Sequence, residues 1–559
     1  MPFLKRLVAA PPSMGTVFIA IAAIYLFTSP VEFSTTDGAV RELVADNLLH
    51  HGEIALLQVE EGAYYNNLWT IGPDGRPYAY FGIGQTLLLL PFLALLDLAK
   101  WVGLASRLAN ASTLPMAFLM AGSGALICAL FFQMIRRLGY RSDTALRTAR
   151  LVAFASILWV LSRQNYDMIQ EALGITGTLY FLIAAHYDAS GRTRGLILAG
   201  LCYGVALTVR PGAAAAAPAL AWMLLGSDKW GGWRERLRGA IWFAIGVLGI
   251  AWIVPVYNVL RFGSPFTFGY QGHLPYMGGS LLEGILRWLI SPWQGMFIYM
   301  PILLALPMVL RRFAAKHAHL LRVIALLFLG YLIFHAQFIG LGIFGWGPYY
   351  LLASILPLFI PFAEFFEGRE SFPTWQRAIA SVLIALSVIV QLTSISVPTE
   401  RYQTASVLYG ENVDGMSAST IYDLTWTPIR LQAEATVQNI VHLPNYERYL
   451  DTPPDSEPQT LMDELFAYNL PDWWWLFHLL KGGETGLLVP IAAGLSAAWL
   501  LTRRSHGAPK SAHIYDGTST DTSSGDRAAA NTTKERKVAF SGEDPMGSKD
   551  TLCLGARDR

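Results

Sequence analysis

Three acidic side chains in the N-terminal half of the chain have the type and surroundings that acid–base chemistry requires. Asp37 lies in the sequence STTDG directly after an apolar run, where its carboxylate could take a proton from an acceptor hydroxyl. Asp167 and Glu171 stand four residues apart, so on a helix they share one face. Asp37 and Asp167 also have a structural interpretation, because aspartate is a common helix N-cap.

Two arginines are candidate ligands for an anionic group. Arg210 ends an apolar run in the sequence TVRPG, and a cation there needs an anionic partner, either a lipid phosphate or an internal carboxylate. Arg76 and Tyr78 follow a tight Pro-Asp-Gly turn. Arg76 is interpreted as a ligand for an isoprenoid phosphate, or alternatively as a snorkelling side chain among lipid headgroups. Tyr270 and His273 could line an outer cavity, although a single histidine is more often structural.

Several other kinds of chemistry have no support in the sequence. It contains no Ser-His-Asp spacing, no phosphate-binding glycine loop and no HExxH element. No pair among Cys128, Cys202 and Cys553 has metal-ligand spacing. We therefore expect no cofactor and metal-independent chemistry, with a divalent metal as the open alternative. A net charge of +1 gives no electrostatic reason to expect nucleic acid as a partner.

The elements that must position these residues are membrane helices. Hydrophobic residues make up 53% of the chain and charged residues only 14%, whereas soluble domains carry roughly a quarter charged residues. Apolar runs of spanning length predict an all-α polytopic membrane protein with about twelve transmembrane helices. The first run is interpreted as a retained helix rather than a signal peptide. The runs are 14–30, 113–135, 148–163, 172–187, 194–209, 212–227, 239–258, 295–311, 320–341, 346–364, 376–396 and 485–502.

A further apolar run, Gly84 to Val102, is predicted to lie along the outer membrane interface. With that placement every basic loop falls on the cytoplasmic side, as the positive-inside rule requires. The sequence AVRELVADNLLHHG, directly after Asp37, predicts a second interfacial helix that is amphipathic. Both chain termini are then cytoplasmic, and the acidic and basic candidates meet on the outer face.

The chain divides into four predicted regions. Residues 1–396 form the transmembrane catalytic region, and residues 397–484 form a small extracytoplasmic cap that ends in Trp473-Trp474-Trp475. Residues 485–504 contain the last transmembrane helix. Residues 505–559 are rich in Ser, Thr, Asp and Lys, which predicts a disordered cytoplasmic tail.

The order of these motifs resembles the GT-C glycosyltransferases, multispanning enzymes that use polyprenyl-phosphate sugars. The resemblance is to the bacterial group related to the protein O-mannosyltransferase and aminoarabinose transferase families. It includes RFGSPFTFGYQG, SPWQGMFIYMP and GWGPYYLLASILP. It implies that Asp37 is the catalytic carboxylate of the first outer loop and that Glu171 or Asp167 is the second acidic residue. Where relatives often have Gly-Pro-Arg-Tyr, this chain has Tyr349 in place of the arginine.

The resemblance predicts a GT-C-like bundle and an inverting hexosyl- or pentosyltransferase of the cell membrane. The donor would be a polyprenyl-phosphate-linked sugar, and the acceptor an envelope glycan, lipid or protein on the extracytoplasmic face. The alternative is a transporter or flippase for a lipid-linked or small polar solute. That alternative predicts ionisable residues near mid-membrane, where the few polar candidates are Glu364, His335 and Gln337. It also predicts duplicated halves, of which the sequence has no sign.

Overall fold

The computed structural model divides the chain into two compact units, residues 1–505 and 506–559. The second unit, with the predicted tail, lies outside the described residues, as do Tyr270 and His273. The boundaries of the four predicted regions stay predictions. The described residues are 12–30, 33, 35–57, 68–103, 111–188, 190–227, 230–269, 277–338, 345–398, 422, 424–425, 427–442, 473–475, 494 and 496–497.

The described part of the chain is almost entirely helical, apart from one short hairpin. The hairpin pairs β1 (Trp69–Ile71) with β2 (Pro77–Ala79) in antiparallel register. The helices are α1 Met14–Phe27, α2 Thr36–His51, α3 Gly84–Trp101, α4 Leu114–Arg137, α5 Ser142–Ala155, α6 Leu158–Leu161, α7 Met168–Tyr187, α8 Arg192–Val209, α9 Ala217–Leu225, α10 Trp233–Ala251, α11 Ile253–Phe262, α12 Leu281–Ile290, α13 Met296–Tyr299, α14 Leu306–Ala336, α15 Leu352–Ile355, α16 Ala363–Glu367, α17 Thr374–Ile395 and α18 Pro428–His442. Short 3₁₀ turns cover Ala111–Thr113, Pro211–Ala216, Pro301–Ala305, Tyr349–Leu351, Leu356–Phe362 and Arg369–Ser371.

Length and composition identify membrane-spanning candidates among these helices. Within the described residues, seven segments are long and apolar enough to cross a bilayer. This confirms the prediction of an all-α polytopic membrane protein, while the total of twelve spans stays a prediction. Two shorter apolar helices, Met14–Phe27 and Pro211–Leu225, accompany them. The seven segments are Gly84–Trp101, Leu114–Arg137, Met168–Tyr187, Trp233–Phe262, Pro301–Ala336, Tyr349–Glu367 and Thr374–Ile395.

The long helix α14 contains the break that the sequence predicted between two runs. His317 has non-helical backbone angles, with φ −135° and ψ 42°. The break falls between the predicted runs 295–311 and 320–341, where Arg311, Arg312 and Lys316 interrupt the apolar sequence. Two helices separated at this point therefore correspond to two predicted spans.

Helices α2 and α3 run side by side in the same direction. Near their N-termini, the Thr86 hydroxyl donates to the Arg41 carbonyl at 3.3 Å. Near their C-termini, the His50 ring lies 2.9 Å from the Asp97 carboxylate. Because α2 carries charged residues throughout, it is unsuited to the hydrocarbon core. Its lengthwise pairing with α3 favours the in-plane orientation predicted for the 84–102 run, although α3 is apolar enough to span.

Helices α8 and α10 pack against each other through small residues. A Cβ added at Gly200 of α8 would collide with the Phe243 carbonyl of α10, and one at Gly246 would collide with the Ile197 carbonyl. Such close backbone approach is how membrane helices gain packing contacts. This close packing fixes the position of α8 against α10. It thereby helps to position Arg210, the residue that directly follows α8.

The helix termini separate into two groups at opposite ends of the bundle. At one end, Asp167 before α7 meets Arg210 after α8. At the other end, Tyr187 at the close of α7 contacts His317. The 20 residues of α7 make these ends about 30 Å apart. The two groups of termini therefore lie a full helix length apart.

Candidate functional site

The first part of the site is the start of α2, which is fixed against the turn before α7. Thr35 is the N-cap of α2, and its hydroxyl accepts the Gly38 amide at 3.3 Å and donates to the Asn165 side chain. A Cβ at Gly38 would collide with the Asn165 side chain, so only glycine allows this approach. Asp37 thus lies in the first helical turn, and the interpretation of Asp37 as the N-cap is wrong.

Five charged side chains then form a chain of ion pairs that we call the carboxylate–arginine cluster. Arg41 Nη2 lies 3.7 Å from Asp37 Oδ2 and 3.2 Å from Asp167 Oδ2. Arg210 Nη1 lies 2.8 Å from Asp167 Oδ1, and Arg210 Nε lies 3.4 Å from Glu171 Oε2. The helix spacing of Asp37 with Arg41 and of Asp167 with Glu171 places each pair on one face.

Exposure differs sharply within the cluster. The Asp37 side chain is 28% exposed and that of Arg210 is 14% exposed, whereas Arg41, Asp167 and Glu171 are at 1%, 1% and 3%. Three carboxylates and two guanidinium groups give the cluster a formal charge of −1. Asp37 is the carboxylate of the cluster that a reactant can reach.

Neutral polar groups hold the buried part of the cluster in place. Arg41 also donates to the Gln85 side chain at 3.1 Å and to the Asn165 carbonyl at 3.4 Å. The Gln85 amide donates in turn to Gln170 at 3.2 Å. Tyr331 of α14 donates to Glu171 at 2.6 Å. Buried charges are tolerated when paired and hydrogen-bonded in this way, so the geometry is fixed before any substrate binds.

The segment between β2 and α3 packs against the cluster through Phe81. The Arg41 guanidinium lies 4.2 Å from the centroid of the Phe81 ring, a cation–π distance. Arg261 donates to the carbonyls of Ala79 and Phe81 and thereby fixes this segment. A Cβ at Gly82 would lie 2.4 Å from the carbonyl oxygens of Thr208 and Val209, so the segment also lies directly against the end of α8.

Aromatic rings line the side of the cluster next to Arg210. The guanidinium carbon of Arg210 lies 4.8 Å from the Tyr350 ring centroid, and Tyr350 is partly exposed. Tyr349 contacts both Tyr350, at 4.6 Å between ring centroids, and Tyr166, at 5.0 Å. Tyr349 is therefore buried in ring contacts behind Tyr350, and it adds no charge to the site.

The structure brings four of the sequence-predicted residues together: Asp37, Asp167, Glu171 and Arg210. Asp167 does occupy the N-cap position of α7, but its side chain makes no capping hydrogen bond and binds the two arginines instead. Of the two partners considered for Arg210, the structure contains the internal carboxylates. The cluster lies at a single end of the bundle, as the prediction of one shared face required.

Arg76 and Tyr78 are placed apart from this cluster in the described contacts. Arg76 is exposed and pairs with Glu53 at 2.9 Å. Tyr78 is buried and donates to the Asp74 carboxylate at 2.7 Å, which lowers the pKa of Asp74. Burial, followed by this hydrogen bond, raises the pKa of Tyr78 to about 12. Their assignment as substrate ligands stays a prediction.

Arg41 is the functional candidate that the sequence analysis missed. It follows Asp37 by four residues, the spacing at which an arginine supports an acidic side chain on a helix. That spacing was a usable signal. Arg41 also pairs with Asp167, which lies 126 positions later in the chain. No local sequence pattern indicates that second pairing.

The residues of the alternative transporter interpretation also have defined places. Glu364 binds Tyr140 at 2.6 Å and Lys316 at 2.9 Å, at the bundle end away from the cluster. His335 is buried and contacts the Tyr331 carbonyl at 2.9 Å. Gln337 is hydrogen-bonded to the Ile333 carbonyl. Among the described residues, no group of three His, Cys, Asp or Glu side chains is arranged so that it could hold a metal ion, and the expectation of metal-independent chemistry stays a prediction.

Comparisons with known proteins give a family match over part of the chain. Residues 98–258 match the family described as dolichyl-phosphate-mannose-protein mannosyltransferase. The match confirms the resemblance to lipid-phosphate-dependent glycosyltransferases that the motifs indicated, and the matched segment contains Asp167, Glu171 and Arg210. No curated protein sequence matches this chain.

Solved structures give more distant likenesses. ArnT from Cupriavidus metallidurans bound to undecaprenyl phosphate is 15% identical, over 87% of this chain and 77% of that protein, with a TM-score of 0.47. AglB from Archaeoglobus fulgidus, an archaeal oligosaccharyltransferase in complex with an inhibitory peptide and a dolichol-phosphate, is 12% identical. That likeness covers 82% of this chain and 64% of AglB, with a TM-score of 0.43.

Proposed function

We propose that this chain is a membrane glycosyltransferase that moves a sugar from a polyprenyl-phosphate donor to a hydroxyl-bearing acceptor. The observation that carries the proposal is the carboxylate–arginine cluster, with the exposed Asp37 at its edge. The family match over residues 98–258 supports the lipid-phosphate donor class. The acceptor would be an envelope glycan, lipid or protein, at the extracytoplasmic face of the cell membrane.

In the proposed reaction Asp37 acts as the general base. Its carboxylate takes the proton of the acceptor hydroxyl while the acceptor oxygen bonds to the anomeric carbon. The bond between that carbon and the phosphate oxygen breaks, and its electron pair leaves with the phosphate. One displacement from the side opposite the leaving group inverts the anomeric configuration. General-base catalysis of this kind contributes about 10²- to 10⁴-fold to a rate.

The cluster also suits the charge that develops on the leaving group. Arg210 is partly exposed, and its ion pairs with Asp167 and Glu171 hold its guanidinium group in one orientation. It is therefore preorganised to bind the phosphate. Proton uptake by Asp37 changes the formal charge of the cluster from −1 to 0. The repulsion felt by the departing phosphate therefore falls during the same step.

The test compares two isosteric substitutions on the same helix. Asp37→Asn is expected to lower kcat for lipid-phosphate release by at least about 10²-fold, with the thermal midpoint nearly unchanged because Asp37 is partly exposed. Asp46→Asn is the matched control, since Asp46 is 48% exposed and its carboxylate pairs with His50 at 3.1 Å. Purified protein and a panel of polyprenyl-phosphate sugars provide the assay. Full activity of Asp37→Asn would remove Asp37 from the mechanism.

A further inference from the structure

Three consecutive tryptophans donate their indole N–H groups to carbonyls at the ends of two membrane helices. Trp474 Nε1 binds the Leu26 carbonyl at 2.9 Å, and Trp475 Nε1 binds the Phe27 carbonyl at 2.9 Å. Trp473 Nε1 binds the Ile395 carbonyl of α17 at 2.7 Å. We call Trp473, Trp474 and Trp475 the tryptophan latch.

The latch supplies further donors to the end of α1, where the Leu26 carbonyl also accepts the Ser29 amide at 3.1 Å. The last carbonyl groups of a helix have no partner within the helix, and an indole N–H is a donor without acceptor function. The Trp475 ring also stacks on Phe27, with centroids 4.8 Å apart. An aromatic belt needs only rings at the membrane interface, whereas these three rings each make a specific hydrogen bond.

The contact continues along the backbone beyond α1. The Trp474 amide donates to the Ser29 carbonyl at 3.2 Å, and Trp473 pairs with Pro30 in an antiparallel bridge. Arg163 donates to the Thr28 carbonyl from the turn that carries Asp167. The segment leaving α1 is thus held from both sides.

This segment leads directly to the proposed base. The latch fixes residues 26–30, and Gly38 fixes the start of α2 against Asn165. Asp37 lies between these two fixed points, seven residues beyond Pro30. The path of the chain into α2, and with it the position of Asp37 relative to a bound acceptor, is therefore set partly by a segment more than 430 positions later in the chain.

We infer that Trp473, Trp474 and Trp475 are positioning residues for Asp37. This inference rests on the proposed function of Asp37 as the base. The indole N–H groups, rather than the rings alone, are the parts that act, because those of Trp474 and Trp475 bind carbonyls at the end of α1 and that of Trp473 binds the end of α17. Loss of one such bond loosens the end of α1 and misplaces Asp37 relative to the acceptor.

The first experiment removes one N–H and keeps an aromatic ring. Trp474→Phe is expected to lower kcat about tenfold or more while the donor KM changes less than about twofold, because misplacement by about 1 Å has large effects on rate. Trp375→Phe is the control, since Trp375 is 58% exposed on the surface of α17. A fall in thermal midpoint with unchanged kcat would show a purely structural role and overturn the inference.

Hydrogen–deuterium exchange of residues 28–38 supplies a readout that does not depend on activity. Trp474→Phe is expected to raise exchange in this segment, and Trp375→Phe to leave it unchanged. Unchanged exchange in Trp474→Phe would overturn the inference. Raised exchange in a protein whose wild type transfers no sugar would instead count against the proposed function while supporting the contact.

A crosslink tests the direction of the effect. Pro30 and Trp473 are bridge partners, a separation at which two cysteines can form a disulfide. In the Pro30→Cys/Trp473→Cys variant, the oxidised form is expected to transfer sugar several-fold faster than the reduced form. Equal kcat in the two forms would contradict positioning by this segment.

Discussion

At the scale of single residues, Arg41 decides how the cluster holds together. It is 1% exposed and lies between the carboxylates of Asp37 and Asp167. The sequence identified both acids and Arg210 because their residue types, beside apolar runs, are unusual in a membrane protein. It did not identify which charges pair, because pairing depends on how distant helices pack. Arg210, for example, had two possible partners in the sequence and has carboxylates in the fold.

Arg41→Gln is expected to destabilise the protein, because it leaves the buried carboxylate of Asp167 short of one partner and makes the cluster charge −2. Breaking a buried pair costs about 3–5 kcal/mol, and the remaining bond to Arg210 places this case at the lower end. The measurement is the thermal midpoint in detergent. The double variant Arg41→Gln/Asp167→Asn returns the charge to −1 and should recover part of the loss. Additive effects of the two substitutions would show that the two side chains do not interact.

Glu42, next to Arg41 in α2, gives the stability a pH dependence. Burial, followed by the charge of Asp46, raises the pKa of Glu42 to about 7, above its ordinary value of 4.5. The folded protein thus binds a proton that the unfolded chain has released, so stability falls as pH rises from about 4.5 to 7 and is level above that. Glu42→Gln should raise the thermal midpoint at pH 8 and leave it unchanged at pH 4.5. The same difference between variant and wild type at both pH values would contradict the assignment.

At the scale of elements, the sequence predicted the helices better than their contacts. Apolar runs predicted most of the membrane helices, and the polar interruption near His317 predicted the break in α14. The hairpin of β1 and β2 was visible only as a Pro-Asp-Gly turn, because each strand has three residues and too little periodicity to read. The docking of α2 on Asn165 could not be predicted, since it depends on the absence of one side chain at Gly38.

Gly38→Ala is expected to push α2 away from the turn before α7 and to lower kcat strongly, because its Cβ would collide with Asn165. The control is Gly122→Ala in α4, where nothing lies within 4 Å of the added Cβ. That control should keep activity and gain slightly in stability, since alanine favours a helix over glycine. Initial rates and thermal midpoints of both variants provide the comparison. Equal activities for Gly38→Ala and wild type would show that the approach of α2 to Asn165 is dispensable.

At the scale of the whole molecule, the position of α3 determines which loops share a side of the membrane. The pairing of α3 with the charged helix α2 favours an orientation along the interface. Val102, just after α3, is 59% exposed, and Ser190 lies in the turn after α7 at the other end of the bundle. In a background without native cysteines, Val102→Cys should react with an impermeant thiol reagent in intact cells, and Ser190→Cys only after the membrane is opened. The two cysteines reacting under the same condition would show that α3 crosses the bilayer.

The distribution of basic residues among the loops predicted which loops lie at the same end of the bundle. This prediction needs only the composition of each loop and no knowledge of helix packing. The contact between the end of α1 and Trp473–Trp475 could not be predicted from charge bias in the same way. The bonds of Trp474 and Trp475 to Leu26 and Phe27 connect positions 448 residues apart. No periodicity or local motif specifies such a pairing. The three consecutive tryptophans were evident in the sequence, whereas the carbonyl groups that they bind could not be identified from it.

The distance between the two ends of α7 has a practical consequence for handling the protein. Ser190 is exposed and lies about 30 Å from Asp167 along the 20-residue helix. A folded marker, such as a fluorescent or antibody-binding module, can be spliced into the turn at Ser190 while the reacting groups keep their surroundings. Such a fusion would provide an asymmetric fiducial for imaging and a handle for immobilising the enzyme with its catalytic face open.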